Sequence, residues 1–208
     1  MIASKLIINK IENVVGRKNL AKPIALHEPD LSNTFAWDYV KDCLDSGWVS
    51  TAGKWVNIFE EELCKQTKSK HSIAVSNGTV ALRLALHLVG VKAGDEVLLP
   101  PLTFVATANA IAHLGAIPHF IDIESNTLGM CPESLSQRLN EIGEYRQGKV
   151  INRQTGRAIS AIILVHVFGH PANAPAIAKV SKEWKLPLIE DAAEALGSWR
   201  SHMGANTH

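Results

Sequence analysis

The sequence is short of the features that would commit it to a membrane, a metal or a disulfide framework. Its 208 residues include three cysteines, Cys43, Cys64 and Cys131, widely spaced and odd in number. That is neither a disulfide scaffold nor a zinc pattern. No apolar run is long enough to span a bilayer. The formal net charge of +1 offers no electrostatic grip on nucleic acid or an anionic membrane. From Met1 to Lys18 the chain interleaves Lys5, Lys10 and Lys18 with Ile and Val, without the unbroken apolar block and small-residue site of a signal peptide. A cytoplasmic protein with neither nucleic-acid nor membrane partners is the expectation. No Gly-x-Gly-x-x-Gly follows a strand-like run, which disfavours a plain doubly wound nucleotide-binding domain.

What is present is apolar residue for a sizeable core, 46% of the chain, and length for one large domain or one and a piece. Residues 1–35 read as an arm: a short amphipathic helix with Leu6, Ile7, Ile11, Val14 and Val15, then an extended piece over 23–29 that begins and ends in proline. Trp37, Val40 and Leu44 have helical spacing, closed by Ser46-Gly47, and a loop rich in hydroxyl residues runs from Trp48 to Gly53. A further helix sets Val56, Phe59, Leu63 and Cys64 on one face. From His71 onward strand and helix alternate. Strands are expected over 71–76, 96–99, 117–123, 158–168 and up to Asp191, with helices over 80–88, 106–114, 132–142 and 174–185. Residues 143–157 read as a surface excursion or hairpin, and 197–208 contain no strand pattern. This rhythm predicts an α/β fold with a mostly parallel sheet and helices on both faces.

The chain is organised around Leu186-Pro187-Leu188-Ile189-Glu190-Asp191-Ala192-Ala193-Glu194-Ala195-Leu196-Gly197. An apolar run ending in two carboxylates predicts a buried parallel strand that delivers acid side chains where open α/β sheets bind ligands. Two further stretches occupy comparable places. Ser76-Asn77-Gly78-Thr79 stands before a helix, where free N–H groups attract an anion, although an ordinary capping turn has the same composition. Phe104 follows Pro100-Pro101-Leu102-Thr103, where a ring could stack on a flat heterocycle or simply fill the core. His166 and His170 lack the companions of a metal site, and Glu190 with Glu194 lack the opposing face of a paired-acid hydrolase. Jointly, a phosphate cradle, a stacking ring and an acid at three successive strand ends suit pyridoxal phosphate. Its ring nitrogen must stay protonated to act as an electron sink, and a carboxylate supports that.

These stretches, with Gly47-Trp48-Val49-Ser50, Pro101-Leu102-Thr103-Phe104-Val105-Ala106-Thr107-Ala108-Asn109-Ala110 and His166-Val167-Phe168-Gly169-His170, resemble the DegT/DnrJ/EryC1/StrS sugar aminotransferases. The resemblance implies the fold-type I large domain over 36–208, preceded by an arm of 1–35, with pyridoxal 5′-phosphate as cofactor. It implies Gly78 and Thr79 at the phosphate, Phe104 stacked on the pyridine ring, Asp191 at its nitrogen and Glu194 beside the ring. Trp48 and Ser50 would face a nucleotide sugar. The Trp48 loop and Asn152-Arg153-Gln154-Thr155-Gly156-Arg157 look closest to the branch that aminates 4-keto-6-deoxy N-acetylated UDP sugars in bacillosamine and legionaminic acid pathways. Glutamate would be the amino donor and the complete enzyme a homodimer.

The same resemblance implies a lysine downstream of Asp191 that holds the cofactor and moves the proton. The last lysine here is Lys185, and Lys179, Lys182 and Lys185 belong to the outer face of a helix. The expectation is therefore a chain truncated before the catalytic lysine and the small C-terminal domain, with unpaired strand edges. By itself it would not turn over. A lysine-free pseudo-enzyme that holds the cofactor or a nucleotide sugar noncovalently is the alternative.

Overall fold

A computed structural model describes residues 2–15, 31–198, 200–202 and 205–207. The extended piece expected over 23–29 and Trp199 lie outside the described residues. The chain forms two compact units, Met1–Gly53 and Lys54–His208.

The first unit holds two helices, α1 (Ile2–Val15) and α2 (Ala36–Ser46). The Thr34 hydroxyl accepts from the Ala36 amide at 3.3 Å and so meets one of the free donors that every helix start leaves. At the other end Gly47 takes a left-handed φ of 74°, and its N–H returns to the Leu44 carbonyl.

The second unit begins with α3 (Lys54–Thr67) and continues as an α/β domain. Its helices are α4 (Gly78–Leu88), α5 (Val105–Ala112), α6 (Pro132–Ile142) and α7 (Ala174–Trp184). Its main sheet contains β1 (Glu96–Leu99), β2 (Ile117–Phe120), β3 (Gly143–Arg146), β4 (Lys149–Asn152), β5 (Ala158–Val165) and β6 (Leu188–Asp191). β5 is the centre. One edge pairs in parallel with β1, which pairs in parallel with β2. The other edge is shared: the start of β5 pairs antiparallel with β4 of the β3–β4 hairpin, and its end pairs in parallel with β6.

Strand alternation sorts the core into two layers. Val97, Leu99, Ala161, Ile163, Val165 and Ile189 pack with Leu82 and Leu86 of α4 and Ala110 and Ile111 of α5. Leu98, Ile162, Leu164 and Leu188 pack with Leu135 and Leu139 of α6 and Ile177 and Val180 of α7. Helices thus cover both faces, as the sequence pattern implies. In β6 the rule has a chemical result. Asp191 shares the α4/α5 face with Ile189, and Glu190 shares the α6/α7 face with Leu188.

A buried polar cluster pins the opposite end of β1. Glu96 is 2% exposed, and its carboxylate accepts from Thr155 Oγ1 at 2.6 Å, Asn152 Nδ2 at 2.8 Å and His119 Nδ1 at 2.8 Å. His119 Nε2 accepts from Arg138 Nε at 3.2 Å, which leaves the ring proton on Nδ1. Burial pushes the Glu96 carboxyl upward, but the three donated hydrogen bonds outweigh it and hold it below the usual carboxylate range. The cluster ties the residues between β4 and β5 to β1 and β2.

The structure corrects four expectations. The strand expected over 158–168 ends at Val165, and Val167–Gly169 form a short helical turn. Residues 71–76 are not a strand: no described strand lies beside them to complete a ladder, and the Ala74 amide is taken by Glu60 Oε1 at 2.7 Å. The strand expected over 117–123 ends at Phe120, after which only an isolated bridge joins Ile123 to Met130. Residues 197–208 were expected to lack strands, yet β7 (Arg200–His202) pairs antiparallel with β8 (Ala205–Thr207). These three-residue strands are too short to show the period-2 pattern by which strands are read from sequence.

Candidate cofactor site

The residues expected to act together lie around the α4/α5 face. β5 separates β1 from β6, and residues 71–76 form no strand, so they do not sit at three successive strand ends. Two helix starts and one strand end supply them instead. α4 and α5 pack side by side in the same core layer, beneath Ile189 of β6.

At the start of α4, Asn77 is the cap, and its Oδ1 accepts from the Val80 amide at 3.0 Å. The Gly78 and Thr79 amides are the remaining donors of that turn, joined by the Thr79 hydroxyl. A Cβ placed on Gly78 would meet nothing within 4 Å, so the approach to these donors is open. Such a helix start accepts a phosphate.

α5 begins at Phe104, whose ring is 78% exposed rather than buried in the core. One turn on, the Thr107 amide bonds the Phe104 carbonyl at 3.1 Å. Thr107 is wholly buried, and its hydroxyl donates to Asp191 Oδ2 at 2.8 Å. Thr103 Oγ1 lies 2.7 Å from Thr107 Oγ1. The other Asp191 oxygen, Oδ1, accepts from the Ala193 amide at 3.3 Å. The strand end itself is fixed by the His166 amide, which bonds the Asp191 carbonyl at 3.1 Å.

Glu194 lies three residues beyond β6, and its Oε2 accepts from the Phe168 amide at 2.8 Å. Phe168 has a left-handed φ of 54°, within the short helical turn Val167–Gly169. Gly169 is required there: its φ is +77°, and a Cβ would come within 2.9 Å of the Glu194 carbonyl oxygen. Trp48 and Ser50 are exposed and belong to the first unit, whereas Gly78, Thr79, Phe104, Asp191 and Glu194 belong to the second.

Glu190, on the other face, has a different partner. His166 Nδ1 accepts from the Ala172 amide at 3.0 Å, so Nε2 carries the proton and donates to Glu190 Oε2 at 3.0 Å. That bond holds the Glu190 carboxyl below the usual range despite burial. A cavity of about 460 Å³ opens beside this pair, lined by residues including Pro171, Ala178 and Leu196. It lies against α7 rather than at Asp191. Among the described residues no group of three His, Cys, Asp or Glu could hold a metal ion, and no helix is long and apolar enough to cross a membrane.

An anion-ready helix start, an exposed ring and an oriented carboxylate are groups that a planar, phosphorylated, nitrogen-containing molecule would use. The residues fit pyridoxal phosphate. The matching family model, that of the DegT/DnrJ/EryC1/StrS aminotransferase family, covers residues 32–205, and the chain belongs to that family of pyridoxal-phosphate-dependent enzymes. GDP-perosamine synthase of Vibrio cholerae is 37% identical over 175 residues, spanning 84% of this chain and 43% of the relative. Its namesake in Escherichia coli O157:H7 is 38% identical over 177 residues, 85% of this chain and 44% of the relative. Among solved structures, DesI in the presence of its TDP-sugar product superposes with a TM-score of 0.72 at 28% identity, covering 92% of this chain and 44% of the other. The chain thus spans less than half the length of these relatives.

Sequence reasoning missed the partner of Asp191. Thr103 and Thr107 stand four apart across the start of α5, the spacing that places two side chains on one helix face, and this was the available signal.

Proposed function

We propose that this chain is the cofactor-binding part of a sugar aminotransferase that moves an amino group from glutamate to a 4-keto-6-deoxy nucleotide sugar, in the biosynthesis of cell-surface glycans. The observation that carries the reading is the Asp191 carboxylate held by Thr107, one helical turn on from the exposed Phe104. Gly78 and Thr79 bind the phosphate, Phe104 covers one face of the ring, and Asp191 holds the proton on its nitrogen. Glu194, anchored to the Phe168 amide, lies beside the ring. When bound, pyridoxal phosphate supplies the electron sink that lets an amino group be exchanged. By function, residues 1–35 are an arm and 36–208 the cofactor-binding domain. The complete enzyme is a cytoplasmic homodimer.

The polypeptide by itself binds the cofactor and does not turn over. Lys179, Lys182 and Lys185 are exposed on α7 and at its end, and the Lys185 ammonium lies 5.2 Å over the Tyr145 ring. None of them takes the role of the lysine that moves a proton at the reacting carbon. A noncovalent binding module is the reading this leaves for the isolated chain.

The sugar nucleotide proposed is a UDP-linked N-acetyl sugar, on the strength of the Trp48 loop, since Asn152 and Thr155 are engaged with Glu96. A GDP-linked sugar is the second reading, favoured by the names of two relatives. Calorimetric titration with UDP-, GDP- and TDP-linked 6-deoxy sugars tests both. Tightest binding of the UDP sugar, weakened by Trp48→Ala, is expected. Equal binding of all three, or a preference untouched by Trp48→Ala, contradicts the reading.

A further inference from the structure

The hydrogen bonds behind Asp191 have a defined direction. An ionised carboxylate only accepts, so the single hydroxyl proton of Thr107 goes to Asp191 Oδ2, 2.8 Å away. Thr107 Oγ1 then has only lone pairs for its neighbour, and Thr103 must donate to it across 2.7 Å. The two hydroxyls form a one-way chain ending on the carboxylate, in which each bond polarises the next. Thr107 is wholly buried, so water cannot replace it there. Its bond to Oδ2 fixes the rotation of the carboxylate and leaves Oδ1 with one long contact, to the Ala193 amide at 3.3 Å.

We propose that Thr107 is the positioning residue that aims Asp191 at the ring nitrogen of the cofactor, with Thr103 donating to its hydroxyl and so strengthening the bond to the carboxylate. Phe104 and Thr107 share the first turn of α5, and the Thr107 amide bonds the Phe104 carbonyl. The ring that stacks and the hydroxyl that aims are therefore one rigid piece, and the height of the stacked ring is matched to the carboxylate by a single helical turn. The inference rests on the assignment of pyridoxal phosphate to this site.

The test separates aiming from mere structural support by changing the ligand. Dissociation constants of the 208-residue chain are measured for pyridoxal phosphate and for its carbocyclic analogue, in which C–H replaces the ring nitrogen. A charge-assisted hydrogen bond gives an expected preference for the nitrogen-containing ligand of about tenfold in the wild type. Asp191→Ala removes that preference. Thr107→Val, which keeps the shape and loses the hydroxyl, removes most of it, and Thr107→Ser restores it. A merely structural Thr107 would weaken both ligands alike and leave the preference intact. A preference lost in Asp191→Ala and retained in Thr107→Val overturns the inference alone. No preference in the wild type removes the role of Asp191 and the inference with it. Should Thr107→Val fail to fold by circular dichroism, Thr103→Val decides, at a half-buried position. Its preference falls about threefold if the chain of hydroxyls is real, and an unchanged preference overturns it.

Discussion

Glu190 and Asp191 are neighbours in β6 and serve opposite faces of the sheet. The Asp191 carboxylate accepts from Thr107 of α5, and the Glu190 carboxylate accepts from His166 on the α7 side. His166 also bonds the Asp191 carbonyl through its backbone amide, so one residue ties down both members of the pair. The acid pair is thus divided between the proposed cofactor site and a structural clamp.

The clamp makes stability depend on pH with a definite sign. The hydrogen bond from His166 lowers the folded-state value of Glu190 below its ordinary 4.5. Its contribution is present above the ordinary value and is lost as pH falls through the lowered one. In urea unfolding, the difference between wild type and Glu190→Gln should stay constant above about pH 5 and shrink below it. The carboxylate is half exposed, so solvent screening keeps the difference under about 1 kcal/mol. A difference that grows as pH falls contradicts the assignment.

Glu96 carries more. Replacing it by leucine strands the buried Asn152 amide and the half-buried His119 ring, while the exposed Thr155 hydroxyl turns to water, at a cost of about 2 kcal/mol. Amide exchange over 152–157 should quicken as the tether is cut. A loss under about 1 kcal/mol with unchanged exchange would show that the cluster is not the tether.

Phe104 should separate binding from folding. With 78% of its surface exposed, Phe104→Leu costs under about 0.5 kcal/mol of stability. Loss of the stacking face should weaken pyridoxal phosphate binding about fivefold, on the order of 1 kcal/mol. A variant that unfolds early, or binds as wild type does, contradicts the stacking role.

Much of this was legible in the chain because the signals are local. Val97–Leu99 is a short apolar run bounded by Gly94-Asp95 and Pro100, and α6 starts at Pro132 where a missing N–H costs nothing. Asp191 stood out as a carboxylate closing an apolar run. The reading failed where the deciding partner is remote or the element is short. Residues 71–76 have strand composition, but a strand exists only with a neighbour to pair with. Glu96 reads as the polar start of a strand, and the partners that make it a buried anion lie between 23 and 59 residues away. Thr107 is an unremarked helix residue until Asp191, 84 positions on, arrives beside it.

Gly78, Thr79, Phe104 and Asp191 are proposed to hold pyridoxal phosphate without a covalent bond to Lys179, Lys182 or Lys185. The direct measurement is an absorbance titration of the 208-residue chain with pyridoxal phosphate, with borohydride added before dialysis. Saturable binding of one equivalent is expected, weakened by Phe104→Leu and Asp191→Ala and lost on dialysis even after reduction. Cofactor fixed stoichiometrically to one lysine, or no saturable binding at all, would contradict it.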